Sequence, residues 1–222
     1  MEVTEAYNKS FKYWKTQEVE DVFGIAPTEN KTRLNNWLTA KCEVTEEEKK
    51  RLLELQEHLL SKVEFWNEAA IKFFFIGPMI SMLHYDNIQY NAFLEQNLSI
   101  QINDQITISG NVDFMLATGK QIPKIPFFAL HEYKPEPAAS NDPQGQLLVA
   151  MLAAQRQNKA KNVHLPLYGV YVIGRLWFFL ILEGDSYCKS LAYDATQSDL
   201  FDIYCILKKV KDYVEEELKI VA

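Results

Sequence analysis

The chain has 222 residues, of which 48% are hydrophobic, 24% charged and 13% aromatic, the balance of an ordinary globular protein rather than a disordered or fibrous one. That length suffices for one sizeable core, or for a core of about 150 residues carrying an extension. The formal net charge of −7 argues against a protein that coats nucleic acid, because non-specific DNA affinity comes mainly from Lys and Arg neutralising phosphates.

The opening segment MEVTEAYNKSFKYWK has no basic start followed by an apolar run, and the longest apolar runs, FFFIGPMISML and LWFFLIL, are too short to cross a bilayer. The expectation is a cytoplasmic protein without a membrane span. Cys42, Cys188 and Cys205 form no CxxC pair and have no histidine at zinc-finger spacing, which predicts neither a disulfide framework nor a zinc site.

Residues 1–60 read as a polar, helical extension. Thr45 and Glu48 stand at capping-box spacing, and Leu52, Leu53, Leu55, Leu59, Leu60 and Val63 recur at roughly helical intervals, so one or two helices are expected over 45–83. Pro78, after Gly77, should kink or interrupt the second, since proline removes a helical donor and clashes with the preceding turn.

From about residue 98 the period changes. SIQINDQITISGNVDFML alternates Ile100 and Ile102, then Ile106, Ile108, Val112 and Phe114, against polar neighbours, the signature of a hairpin with its turn at 103–105 and one buried face. IPFFALHEYK is apolar on both faces, as in a central strand; PEPAASNDP is a loop, and QGQLLVAMLAAQRQ is a helix of small residues suited to lie close on a sheet. LPLYGVYVIG and LWFFLILEG are strands joined through Gly174 and Arg175, YCKSLAY is a candidate short third, and an amphipathic helix capped by Thr196 runs to the end. No internal repeat or Pro-, Gly- or Ser-rich linker divides the chain. The expected fold is α/β: a central mixed β-sheet flanked by helices over residues 61–222, with a helical N-terminal extension over 1–60.

Asp113 lies on the polar parity of its strand with Thr107, Ser109 and Asn111. Glu132 and Lys134 are two apart in an extended segment, so both leave one face of the sheet, on the parity of Phe128 and Leu130. Such charges at the end of a buried strand suit hydrolysis of a phosphodiester. A hard cation such as Mg2+ takes oxygen ligands, polarises the phosphate and lowers the pKa of bound water, while an ammonium beside it orients that water or offsets transition-state charge.

GNVDFML, FFALHEYKPE, the helix of DPQGQLLVAMLAAQ and the strand pair LYGVYVIG and LWFFLILEG together resemble the PD-(D/E)XK, or restriction-endonuclease-like, nuclease superfamily over roughly residues 60–195. The resemblance implies a mixed sheet flanked by helices and metal-dependent cleavage of DNA. By position, Asp113 and Glu132 resemble the family's metal-binding acids and Lys134 its catalytic lysine. Glu68 resembles the acid of the preceding helix, with Glu64 as competitor, and Gln146 the glutamine of the following helix, with Gln144 as rival. The family's proline before the aspartate is replaced here, in Asn111-Val112-Asp113.

Other residues have plainer accounts. His131 and Tyr133 point to the opposite face from Glu132 and suit a hydrogen-bonded core; Trp177, Phe178 and Phe179 suit strand core rather than a base-stacking platform. Arg156 with Lys159 and Lys161, and Lys208, Lys209 and Lys211, are the candidate DNA-facing basic surfaces, although a solvated helix face is the plainer account of both. The expected function is DNA hydrolysis with Mg2+ or Mn2+ held by Asp113, Glu132 and Glu68. RNA as substrate and a homodimer stay open, and the alternative is a catalytically weak nuclease-fold module that binds nucleic acid or a protein partner.

Overall fold

The computed structural model describes residues 7–101, 106–136 and 142–221. The turn expected at 103–105 and the middle of the loop before residue 142 lie outside the described residues.

In chain order the strands are β1 (Tyr7–Ser10), β2 (Ala26–Pro27), β3 (Asn91–Gln101), β4 (Ile106–Thr118), β5 (Lys124–Lys134), β6 (Leu167–Ile173), β7 (Leu176–Glu183), β8 (Ser186–Lys189) and β9 (Tyr193–Asp194). All join one mixed sheet with the path β1-β4-β5-β6-β7-β8-β2, in which β3 pairs with β4 and β9 with β7. The α/β class and the helix-flanked mixed sheet are therefore as the period changes indicate.

The helices are α1 (Thr16–Phe23), α2 (Thr32–Leu38), α3 (Glu46–Lys62), α4 (Glu68–Ile71), α5 (Gly77–Ser81), α6 (Pro143–Ala160) and α7 (Asp199–Val221). Thr45 and Glu48 form the capping box that starts α3. Leu52, Leu55 and Leu59 turn inward from α3 to join Trp37, Phe75, Met79, Tyr204 and Val210 in the core on one face of the sheet. On the other face α6 packs with Phe11, Trp14 and Val19. Each large side chain so buried contributes about 1.5–3 kcal/mol.

The amino-terminal 60 residues are not helical throughout. β1 runs parallel to β4, and β2 runs parallel to β8, so this part of the chain contributes strands to the sheet as well as α1, α2 and most of α3. Runs of four and two residues are too short to show a period of two in the sequence.

β4 carries a division of labour that positions the site. Residues 107–109 pair with both β1 and β3, and residues 114–117 pair with both β3 and β5. With β3 along one edge throughout, β1 and β5 must share the other. They leave a gap beside residues 110–113. Phe11 follows β1 across this stretch and lies so close that a Cβ on Gly110 would come within 2.6 Å of its ring.

β5 contains a bulge. Leu116 pairs with Ala129 but Ala117 with Phe127, leaving Phe128 as an extra residue that packs into the same core as Ala129. Strict alternation would put Phe128 on the face of Glu132 and Lys134; the bulge reverses the parity, so that Phe127 and Leu130 share the opposite core.

Cys42 and Cys205 form a disulfide across 163 residues, with Cα atoms 5.2 Å apart, tying the loop after α2 to α7. This overturns the expectation that no cysteines pair. Pairs so far apart in sequence leave no spacing signal. Thr196 precedes α7 without capping it: its hydroxyl and N–H both donate to Asp194 Oδ1, at 2.6 and 2.8 Å, within the turn before the helix.

Candidate active site

The gap beside β4 opens into a cavity of about 560 Å³ whose walls include Lys12, Glu68, Glu95, Asp113, Glu132, Lys134 and Gln146. The four expected charged residues thus come together, with the expected glutamine, from two strands and two helices: α4, β4, β5 and α6.

The β4–β5 ladder stops at Phe114 paired with His131. Beyond it Asp113 fills the space between the strands, and Tyr133 N–H donates to its Oδ2 at 2.7 Å. Lys134 Nζ stands 2.6 Å from Glu132 Oε1 and 3.1 Å from Glu68 Oε2. The first contact is an ion pair without hydrogen-bond geometry, since Glu132 Oε1 is buried and has no hydrogen-bond partner. At only 9% exposure, Lys134 is more enclosed than its place before Pro135 suggests.

Glu68 enters because Asn67 caps α4, its side chain accepting from Ala70 N–H at 2.9 Å. The chain then passes through a π-helical turn, Lys72–Ile76, into α5. Gly77 is needed at its end, where a Cβ would lie 2.9 Å from the Lys72 carbonyl oxygen; Pro78 follows inside a helical run that continues without a break from 68 to 81, so the irregularity is the π-turn before it rather than an interruption. Glu64, the competing acid, is exposed in the turn after α3.

Gln146 is buried with Oε1 unpartnered. Its rival Gln144 faces β8, where Lys189 Nζ donates to it at 2.7 Å. Asp142 fixes the start of α6 by accepting from Gly145 N–H at 3.0 Å and from Thr16 N–H at 2.7 Å. Gly145 permits that approach, since a Cβ there would stand 2.5 Å from Thr16 N.

Two residues that motif spacing did not single out complete the cluster. Lys72 Nζ lies 2.6 Å from Asp113 Oδ1, 2.8 Å from Glu68 Oε1 and 3.0 Å from Glu95 Oε1. Lys72 is one helical turn after Glu68, so the pair could have been found from their i,i+4 spacing. Glu95 carries no such signal, because a positive φ of 51° sets its direction.

Burial raises the pKa of Asp113, against the pull of Lys72 and the Tyr133 N–H. Burial likewise raises Glu132, and the neighbouring Asp113 charge adds to it. For Glu68 burial opposes ionisation, but Lys72 and Lys134 together outweigh it and hold the carboxyl below its usual range. Both lysines are raised, their carboxylate partners prevailing over burial. His131 sits on the other face, its Nδ1 2.7 Å from Tyr133 Oη, and burial drives its pKa down to about 3; it is a neutral core residue.

Among the described residues no group of three or more acids, histidines or cysteines stands ready to enclose an ion. The two lysines lie between the carboxylates instead. The donors suit a hard cation nonetheless: carboxylate and amide oxygens, with Gln146 Oε1 buried and lacking a hydrogen bond and Glu132 Oε1 buried against the Lys134 ammonium.

Of the basic surfaces, Lys208 lies 3.2 Å from Glu48 and Lys209 2.9 Å from Asp212, so that face is largely neutralised. Lys159 and Lys161 are exposed beside Arg156. No described helix is long and apolar enough to cross a membrane. Neither a known family model nor any curated protein sequence matches the chain.

Proposed function

We propose that this protein is a metal-dependent nuclease with a restriction-endonuclease-like core that hydrolyses DNA phosphodiester bonds. The observation that carries the proposal is the meeting of Glu68, Asp113, Glu132 and Lys134 in one cleft, with Lys134 Nζ within 3.1 Å of both Glu132 and Glu68. Asp113 and Glu132, with Glu68, would hold Mg2+ or Mn2+. When bound, the ion supplies a Lewis acid and a water of lowered pKa.

The chain's own groups do the rest. Lys134, buried against two carboxylates, orients the attacking water or offsets charge developing on the phosphate. Gln146 brings an unpaired amide oxygen to the same cavity. Lys12, exposed at the cleft wall, is placed to meet the nucleic-acid backbone. A negatively charged protein holds DNA only through such local contacts, and salt weakens them.

The test is cleavage of linear and circular DNA, and of RNA, at low salt with Mg2+ or Mn2+, comparing the natural protein with Lys134→Ala. Metal-dependent cleavage that the substitution abolishes supports the proposal; metal-independent cleavage, or none on any substrate, rejects it. One observation favours a second reading, a nuclease-fold module that binds nucleic acid or a protein without turnover: Lys72 already occupies the space between Asp113, Glu68 and Glu95 and contacts all three carboxylates. DNA binding without cleavage would select that alternative.

A further inference from the structure

Two local irregularities converge on Lys72. The π-helical turn begins at this residue, and such turns are rare and frequent at functional sites. Across the cleft, Glu95 adopts left-handed backbone at φ 51° inside β3, and the β3–β4 register passes from Leu94 paired with Phe114 to Gln96 paired with Val112, leaving Glu95 and Asp113 as the unpaired step between. Non-glycine residues hold that conformation at a cost, which persists only when surrounding contacts fix it. Together these bring Asp113, Glu68 and Glu95 to within 3.0 Å of one ammonium.

We infer that Lys72 is the resident counter-cation of the site, competing with a divalent ion for the oxygens of Asp113 and Glu68 and leaving them when that ion enters. The inference rests on the metal-site assignment above and adds to it the means by which metal entry is controlled. An ion at about 2.0–2.1 Å from its ligands, as Mg2+ requires, would stand within a few ångströms of an ammonium held at 2.6–2.8 Å from the same oxygens, and the two cations repel one another. Lys72 is the mobile partner, since its side chain is 22% exposed and its four-carbon stem is flexible.

Two consequences follow. The measured metal affinity is the intrinsic affinity reduced by the fraction of molecules in which Lys72 has left. The displaced ammonium stays at the cleft, where a phosphate is its natural new partner, so metal and phosphate binding reinforce one another.

The experiment is calorimetric titration of Mn2+ alone into the natural protein, Lys72→Met, Lys72→Gln, Lys72→Arg and Asp113→Asn, with folding checked by circular dichroism. Lys72→Gln keeps a polar group and serves if Lys72→Met does not fold. The expected result is Mn2+ binding about tenfold or more tighter in the neutral variants, the scale of a close charge pair, unchanged in Lys72→Arg and weakened in Asp113→Asn. A lower metal-free melting temperature in the neutral variants should accompany it, because Asp113 and Glu95 then lose their ammonium partner and Glu68 keeps only Lys134. Equal or weaker binding in the neutral variants, with Asp113→Asn still impaired, overturns the role of Lys72 and leaves the metal site standing. No Mn2+ binding by any variant overturns both.

Discussion

Asp113 accepts the backbone N–H of Tyr133 across the point where β4 and β5 part, at 2.7 Å. The carboxylate proposed above to bind metal is thereby also a structural closure of the ladder. Asp113→Ala would orphan a buried N–H, at a cost of about 1–3 kcal/mol, whereas Asp113→Asn keeps an acceptor there. Urea unfolding midpoints should therefore place the alanine variant below the asparagine variant, while both bind metal more weakly than the natural protein. Equal midpoints would remove the bond to Tyr133 from the account.

Lys134→Ala should reduce cleavage by a factor on the order of 10²–10³, as expected for a group aimed at transition-state charge. Its effect on folding should depend on pH, because Glu132 loses its ion-pair partner. Burial already raises Glu132, and without Lys134 it rises further. A raised acid favours the native state while protonated and disfavours it as pH climbs. Thermal melts should show a small loss at pH 6 and a larger one at pH 8; a loss independent of pH would point to packing instead.

Glu217 lies in α7, away from the cleft, with Oε2 buried and unpartnered; burial pushes its pKa up to about 8, against the pull of Arg33. Between the unfolded value near 4.3 and about 8 the native state binds the extra proton. Stability from this residue is thus present below that window and falls as pH rises through it, by about 1.4 kcal/mol per pH unit at the steepest. His131, lowered by burial, acts in the opposite sense, its contribution being lost as pH falls below about 6.5. The difference in unfolding free energy between the natural protein and Glu217→Gln isolates the first effect. It should change steadily from pH 5 to 8, and a flat difference would show that Glu217 is ionised in the native state.

Reduction of the Cys42–Cys205 bond frees a loop closed over 163 residues, and chain entropy assigns such a link about 5 kcal/mol. The oxidised protein should melt well above both its dithiothreitol-treated form and Cys205→Ala. Coincident melting curves would mean that the link does not constrain the unfolded chain.

Much of this architecture is legible in the residues themselves. Alternation across 106–118, the apolar run at 125–131 and the switch to small residues after Pro143 locate β4, β5 and α6. Asp113, Glu132 and Lys134 are visible because strand period puts acids and a lysine where apolar runs end. What escapes is what depends on partners distant in sequence or on departures from regular period. The Phe128 bulge reverses a face that alternation assigns the other way. Lys72 and Glu95 owe their positions to a π-turn and a positive φ, neither of which has a composition signature, and β1 and β2 become strands only because β4 and β8 offer them edges.

The alignment of β1 and β5 along a single edge of β4 also bears on strand exchange between molecules. Tyr7–Ser10 cover the backbone donors and acceptors of 106–109, groups that would otherwise form an open strip ready to accept any extended peptide. Because β1 and β4 are separated by nearly a hundred residues of intervening chain, that strip is plugged only after the polypeptide has closed a long excursion, a slow step for folding. Until then a neighbouring copy's first strand can take the same seat. The four residues of β1 thus act as a stopper on a strip of β4 that another extended chain would otherwise fit.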